Sequence, residues 1–372
     1  MENYNKILSS NGLKVPEIML PAEGVSMEKW SVIACDQYTS QKEYWHKVAE
    51  YTAGEPSSLN LIFPECYLED SDTDRRIASI NRNMQEYIDK SVLAAPETGF
   101  ILTKRDTPKH SGRWGLMAAL DLEHYDFSTG SKSLIRATEG TILDRIPPRV
   151  QIRDNASLEL PHIMVLIDDP DNTVIEPLTK ELDSLDKVYD FDLMMESGHL
   201  SGYRIKSEKH LGRIAEAFQT LGAPETLKKK YGEGEAFLFA MGDGNHSLAT
   251  AKTIWESYKR DNSSDKNLMN HPSRWALVEL VNIYSEGIEF EAIHRVLFNI
   301  SEAQFLKALE KSGDFRIFPK DNLDEALKEI EKKSDRQVCA YSNSGSYGII
   351  EALNPDSSIM AGTIQNFIDG YI

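Results

Sequence analysis

The residues best suited to chemistry, Asp243, Asn245 and His246, fall inside one tight bend, Gly242-Asp243-Gly244-Asn245-His246, with Ser247 directly after it. An imidazole there can donate a hydrogen bond to a phosphate oxygen or carry a proton near neutral pH. A carboxylate beside it can hold a metal ion or act as a base. The plainer alternative makes Asp243 an N-cap for the next helix and His246 a partly buried helix residue. A second concentration lies in residues 133–142, SLIRATEGTI. There Arg136 and Glu139 could set an anion-binding group beside a metal-binding or proton-accepting one, or form only a surface ion pair. His294-Arg295, within EAIHRVLF, is a further basic pair, with the edge of a core element as its alternative. Asp36 stands in a polar turn, Asp36-Gln37-Tyr38-Thr39.

These groups need elements to hold them. Residues 236–241, AFLFAM, read as a short buried strand. Two glycines, free to take positive φ, break it. A helix follows, because Leu248, Ala251, Trp255 and Tyr258 recur at three- and four-residue spacing. Strand, glycine turn and helix together aim free N–H groups and a helix dipole at the mouth of a sheet, which suits a phosphate.

Elsewhere, strands are expected at 31–35 (SVIAC), 59–63, 100–105, 114–121, 162–167, 187–194, 202–206 and 275–284. Those at 100–105 and 114–121 should form an antiparallel pair. Amphipathic spacing predicts helices over 71–93 and 207–221, and a capping-box pattern at Ser40 opens one that runs to about residue 51. The turn Asp168-Asp169-Pro170-Asp171 could bind a cation or cap the next segment, and His199 lacks a spaced partner that would specify a metal. After residue 300, two amphipathic helices alternate with FRIF, VCAY and YGII. The terminal TIQNFIDGYI carries an apolar face that should dock on the body, meet another subunit as in a homo-oligomer, or continue into an extension.

The composition of 41% hydrophobic and 27% charged residues over 372 positions fits a soluble globular chain with room for two cores. A net charge of −18 opposes nonspecific approach to nucleic acid or anionic membrane, so an anionic ligand needs a local basic pocket. Cys35, Cys66 and Cys339 are odd in number and far apart, which points to reduced thiols and a cytoplasmic setting. The sequence has no GxxxxGK[ST] loop, GxGxxG turn, HExxH helix or GxSxG elbow, and no apolar run of membrane-spanning length.

Several stretches together resemble a bacterial and archaeal family known as domain of unknown function 1015. They are DGNHSLATA at the centre, SLIRATEGT, IHRVLF, and CDQY near the N-terminus, and the likeness runs from about Pro21 to the C-terminus. Family members often read DGHHR at the central turn, where Asn245 and Ser247 here replace the first histidine and the arginine. Thr138 stands where many carry a histidine before the glutamate. The resemblance carries over onto Asp243, Gly244, His246, Arg136, Glu139, His294 and Arg295. The DGxH turn is also similar to the phosphate-binding turn of ParB and sulfiredoxin-like proteins, a group that includes nucleotide-dependent kinases of free serine.

The expected fold is α+β or mixed α/β, with mixed sheets and packed helices around the strand–DGNH turn–helix unit. Residues 1–300 should carry the site and residues 301–372 a subsidiary α+β region. The leading functional expectation is a Mg²⁺-dependent phosphotransferase acting on a nucleotide or another phosphorylated small molecule. Asp243 and Glu139 would hold Mg²⁺ or accept a proton, while His246, Arg136 and Arg295 stabilise transferred charge. Gly242, Gly244, Asn245, Ser247, His294 and Asp36 would complete the binding surface. Two alternatives stand beside it: a metal-dependent hydrolase using Asp243, His246 and Glu139 around one ion, and a regulatory protein that grips an anion without chemistry.

Overall fold

Along strands β2 (Phe100–Asp106) and β3 (Arg113–Asp121), Phe100, Leu102, Leu116, Ala118 and Leu120 turn one way into an apolar core, while Thr103, Arg105, Arg113 and Gly115 turn the other. These strands belong to a mixed sheet seen in a computed structural model that describes residues 4–128, 130–138, 146–232, 236–288, 294–333 and 336–372. Its other strands are β1 (Leu13–Lys14), β4 (Tyr125–Asp126), β5 (Ile135–Arg136), β6 (Met164–Ile167), β7 (Asp186–Asp192), β8 (His199–Ile205), β9 (Phe239–Asp243) and β10 (Trp275–Asn282). The order is β4-β5-β9-β6-β10-β3-β2-β8-β7, with β1 added to β3. The pairs β4–β5, β5–β9 and β6–β10 are parallel and the remainder antiparallel. The fold is therefore mixed α/β, built around the strand–turn–helix unit as expected.

The core face packs against two amphipathic helices. Glu208–Leu221 contributes Leu211, Ile214, Ala215 and Phe218, and Ser207 caps it by accepting from the His210 N–H. The helix Asn245–Asp261 contributes Leu248, Ala251 and Trp255. A second apolar cluster gathers Trp45, Leu61, Phe63, Tyr67, Ile77, Ile80 and Met84 from the helices Lys42–Tyr51 and Thr73–Asp89 and the segment between them.

Two expected strands are absent. Residues 31–35 follow a helical turn, Met27–Trp30, in irregular conformation. Their backbone is satisfied sideways: the Val32 N–H donates to Ser58 Oγ at 3.4 Å, and the Cys35 carbonyl accepts from the Glu65 N–H at 2.8 Å. A ladder is not needed to bury the apolar run. The second, at 59–63, is replaced by a 3₁₀ turn, Ser58–Leu61, where Ser57 Oγ accepts from the Leu59 N–H. Nor does Ser40 form a capping box, since the helix begins at Lys42 with Gln41 in the N-cap position and no side-chain cap. Periodicity alone could not separate these short apolar runs from strands.

The chain divides into two compact units, residues 1–288 and 289–372. In the second, the strands Phe315–Lys320, Ser346–Ala352 and Val338–Asn343 form an antiparallel sheet in that order. The helices Glu302–Ser312 and Met360–Tyr371 bury Phe305, Leu309, Ile364 and Ile368 against Phe315 and Ile350. The apolar face of the terminal helix is thus used within its own unit. Among the described residues no helix is long and apolar enough to cross a membrane.

Candidate functional site

β9 ends at Asp243, and the Asn245–Asp261 helix begins two residues later. Gly244 makes this possible as a left-handed cap with φ +85° and ψ 29°. Asp243 is therefore not the N-cap that the plainer alternative made it: Gly244 holds that position and Asp243 is the last strand residue. Its Oδ1 accepts from the Gly244 N–H at 2.8 Å. The cap brings no side-chain hydrogen bond, and no acidic residue occupies the helix's first turn. The positive end of a 17-residue helix therefore lies directly behind the exposed Asp243. A bulge in the β9–β6 ladder between Met241 and Asp243 places Gly242 out of register as the chain leaves the sheet.

The second motif lies alongside. β5 runs parallel to β9, with Arg136 in register with Ala240. Thr138, just past β5, donates its hydroxyl to the Met241 carbonyl at 2.8 Å, and its N–H reaches Asn245 Oδ1 at 3.3 Å. Asn245 is buried, 5% exposed. Its side chain ties SLIRAT to the DGNH turn. Arg136 is half-buried. Its Nε donates to the Ser133 carbonyl at 2.8 Å, and its guanidinium lies 4.8 Å above the Phe237 ring.

Ser247 has a partner that the motif spacing did not reveal: His162 Nε2 lies 2.7 Å from its Oγ. His162 is a functional candidate missed from sequence. It precedes the apolar run of β6, and the only signal was an imidazole at a strand's entrance. The His246 carbonyl accepts from the Thr250 hydroxyl at 2.8 Å, and the half-buried His246 occupies the first turn of the helix.

The remaining expected groups are distributed. Glu139 lies outside the described residues. Asp36 sits in the CDQY turn, where its Oδ1 accepts from Gln37 Nε2 at 3.4 Å. His294 and Arg295 are exposed and belong to the second unit, where Arg295 Nε donates to Gln365 Oε1 at 2.9 Å. The structure therefore brings together Gly242, Asp243, Gly244, Asn245, His246 and Ser247 with the Arg136 strand.

Two other polar constellations noted in the sequence are accounted for structurally. Asp169 is fully buried and caps the turn after β6, accepting from the Thr173 and Val174 N–H groups at 2.6 and 2.8 Å. His199 lies between two carboxylates, 2.7 Å from Asp192 and 2.8 Å from Asp190. Those hydrogen bonds, to Asp192 first and then Asp190, raise its pKa above the ordinary value of 6.5.

Among the described residues no group of three or more His, Cys, Asp or Glu side chains could hold a metal ion. A Mg²⁺ that arrives with substrate phosphates needs only one or two protein carboxylates. Asp243 fits that lighter demand.

A family model described as a protein of unknown function, DUF1015, matches residues 19–371. No curated protein and no solved structure matches the chain.

Proposed function

Taking as premise that the chain belongs to the DUF1015 family, whose description assigns no activity, we propose that the Gly242–His246 turn binds the phosphate of a nucleotide or another phosphorylated small molecule. We further propose that the protein transfers a phosphoryl group from it. The observation that carries this reading is the exposed Asp243 set against a glycine-capped helix N-terminus. Such an end attracts phosphate oxygens through its N–H groups and dipole. The proposal also draws on the resemblance of the short DGxH sequence to that of the phosphate-binding turn of ParB and sulfiredoxin-like proteins.

In this scheme Asp243 would hold a Mg²⁺ ion, which would supply charge neutralisation, with Glu139 as the second candidate carboxylate. His246 donates to a phosphate oxygen or takes the acceptor hydroxyl's proton, and Arg136 contributes positive charge from the adjacent strand. Phosphoryl transfer depends on such positioning and electrostatics, and needs no covalent nucleophile from the protein.

One structural observation favours a second reading, in which the turn binds an anion without chemistry. Asn245 and Ser247, which stand where family members often carry basic residues, are engaged by Thr138 and His162.

The test is a thermal-shift series with ATP, ADP and pyrophosphate, each with and without Mg²⁺, on the native chain and on Asp243→Asn. A ligand at about 100 times its dissociation constant stabilises the fold by about 2.7 kcal/mol. The proposal expects a Mg²⁺-dependent shift that the variant loses, followed by turnover with a hydroxyl acceptor. A shift without turnover selects the non-catalytic reading. Silence from all three phosphates refutes phosphate binding at the turn and, with it, phosphoryl transfer.

A further inference from the structure

The sheet face opposite the main core carries a second polar centre, on β2, β3 and β10. Glu279 of β10 lies flat across β3, directly over Gly115: a Cβ built there would fall 2.3 Å from Glu279 Oε1, so only glycine admits this path. Crossing β3 lets Glu279 meet two partners. Oε1 accepts from the Thr103 hydroxyl of β2 at 2.8 Å, and Oε2 accepts from Arg113 Nη2 at 2.9 Å.

Both oxygens of the carboxylate are therefore engaged, and a second guanidinium remains. Arg105 is the register partner of Arg113 on β2, so the two project from the same face of adjacent strands. Its Nη2 donates to the Ser197 carbonyl at 3.4 Å. Burial raises the pKa of the Tyr44 hydroxyl, and the Arg105 charge acts against that rise. Above Tyr44 the Tyr38 ring of the CDQY turn stacks at 3.9 Å and 11°.

Among the described residues, three buried polar atoms of this centre have no hydrogen-bond partner: Arg105 Nε, Arg113 Nε and the Tyr44 hydroxyl. The two Nε–H groups are donors only, and a hydroxyl can donate as well. Among the described residues, two guanidiniums stand here against one carboxylate, which leaves one surplus positive charge. In a chain of net charge −18 such a surplus, partly shielded from water, is unusual. Unmet buried donors are costly, and an oxyanion supplies acceptors for all three.

We propose that Arg105, Arg113 and Tyr44 form a separate binding site for the carboxylate group of a small molecule, with the Tyr38 ring as its outer wall. A carboxylate fits better than a phosphate because its single negative charge balances the single surplus positive charge. The site is independent of the phosphate reading. In the order β9-β6-β10-β3-β2 it lies three to four strands from the DGNH turn, roughly 14–19 Å at a spacing of about 4.8 Å per strand.

The experiment measures acetate binding by thermal shift at constant ionic strength, with chloride and inorganic phosphate as comparison anions, on the full chain. Tyr44→Phe keeps the stacked ring and removes only the hydroxyl, so it tests the site without emptying the core. Acetate should stabilise the native chain more than chloride does. Tyr44→Phe should weaken acetate roughly three- to tenfold, the size of one hydrogen bond, and Arg105→Gln by roughly tenfold or more. Asp243→Asn should leave the acetate response intact, even if it abolishes every nucleotide response.

No acetate effect beyond chloride overturns the proposal, as does an acetate effect unchanged in both Tyr44→Phe and Arg105→Gln. Stabilisation by phosphate but not acetate, lost in Arg105→Gln, overturns the assignment to a carboxylate.

Discussion

Gly244→Ala tests whether the DGNH turn is held as described, because two separable penalties act at one atom. The first is conformational. With φ at +85°, an alanine must adopt the left-handed region, which costs about 1–2 kcal/mol. The second is steric: a Cβ at this position meets Ile163 Cγ1 at 3.1 Å and Ile163 Cα at 3.3 Å. Ile163 is buried, 3% exposed, and its Cα cannot swing aside as a flexible side chain would. Such overpacking adds about 1–3 kcal/mol. Gly54 isolates the first penalty, since its φ is +79° in the same unit and nothing lies within 4 Å of its added Cβ. Urea unfolding should therefore show Gly54→Ala destabilised by about 1–2 kcal/mol and Gly244→Ala by about 2–5 kcal/mol. The native slope should be retained in both. Equal losses in the two variants would refute the packing of Gly244 against Ile163. No loss at Gly244 would refute the left-handed cap itself, and with it the aim of the helix end.

His199 should titrate above 6.5 by nuclear magnetic resonance, and its midpoint should fall toward that value in Asp192→Asn and further when Asp190→Asn is added. Because the folded-state pKa is raised, this stabilisation is complete below the unfolded value near 6.5 and disappears as pH rises through the folded midpoint. A midpoint at or below 6.5 would contradict the paired geometry. Asn245→Ala should lower stability by about 1–2 kcal/mol, through the lost Thr138 contact and the small gap left in a buried place. Chemical denaturation measures that loss. An unchanged midpoint would mean that Asn245 does not tie the two motifs together.

The contrast between Asn245 and Gly244 shows what the chain discloses about its own site. Gly244 was legible because a strand run, two glycines and a helical period meet there, and each signal is local in the sequence. The long strands at Phe100–Asp106, Arg113–Asp121 and Trp275–Asn282 were legible for the same reason. Asn245 belongs to the same bend, yet whether it faces a ligand or the interior depends on Thr138, 107 positions away. Its amide suits either role. His162 is a sharper case: it gains meaning only when β6 is laid antiparallel to β9 and sets the imidazole against Ser247. The Arg105–Arg113 centre needs a cross-strand register, a glycine beneath Glu279 and a tyrosine from another segment, none adjacent in the chain. Irregular segments failed for a related reason. Residues 31–35 looked like a strand because the side chains of Ser58 and a distant N–H, which replace the ladder, lie in another part of the chain. Local periodicity thus identifies elements, whereas the division of polar residues between structural ties and ligand contacts is decided by register.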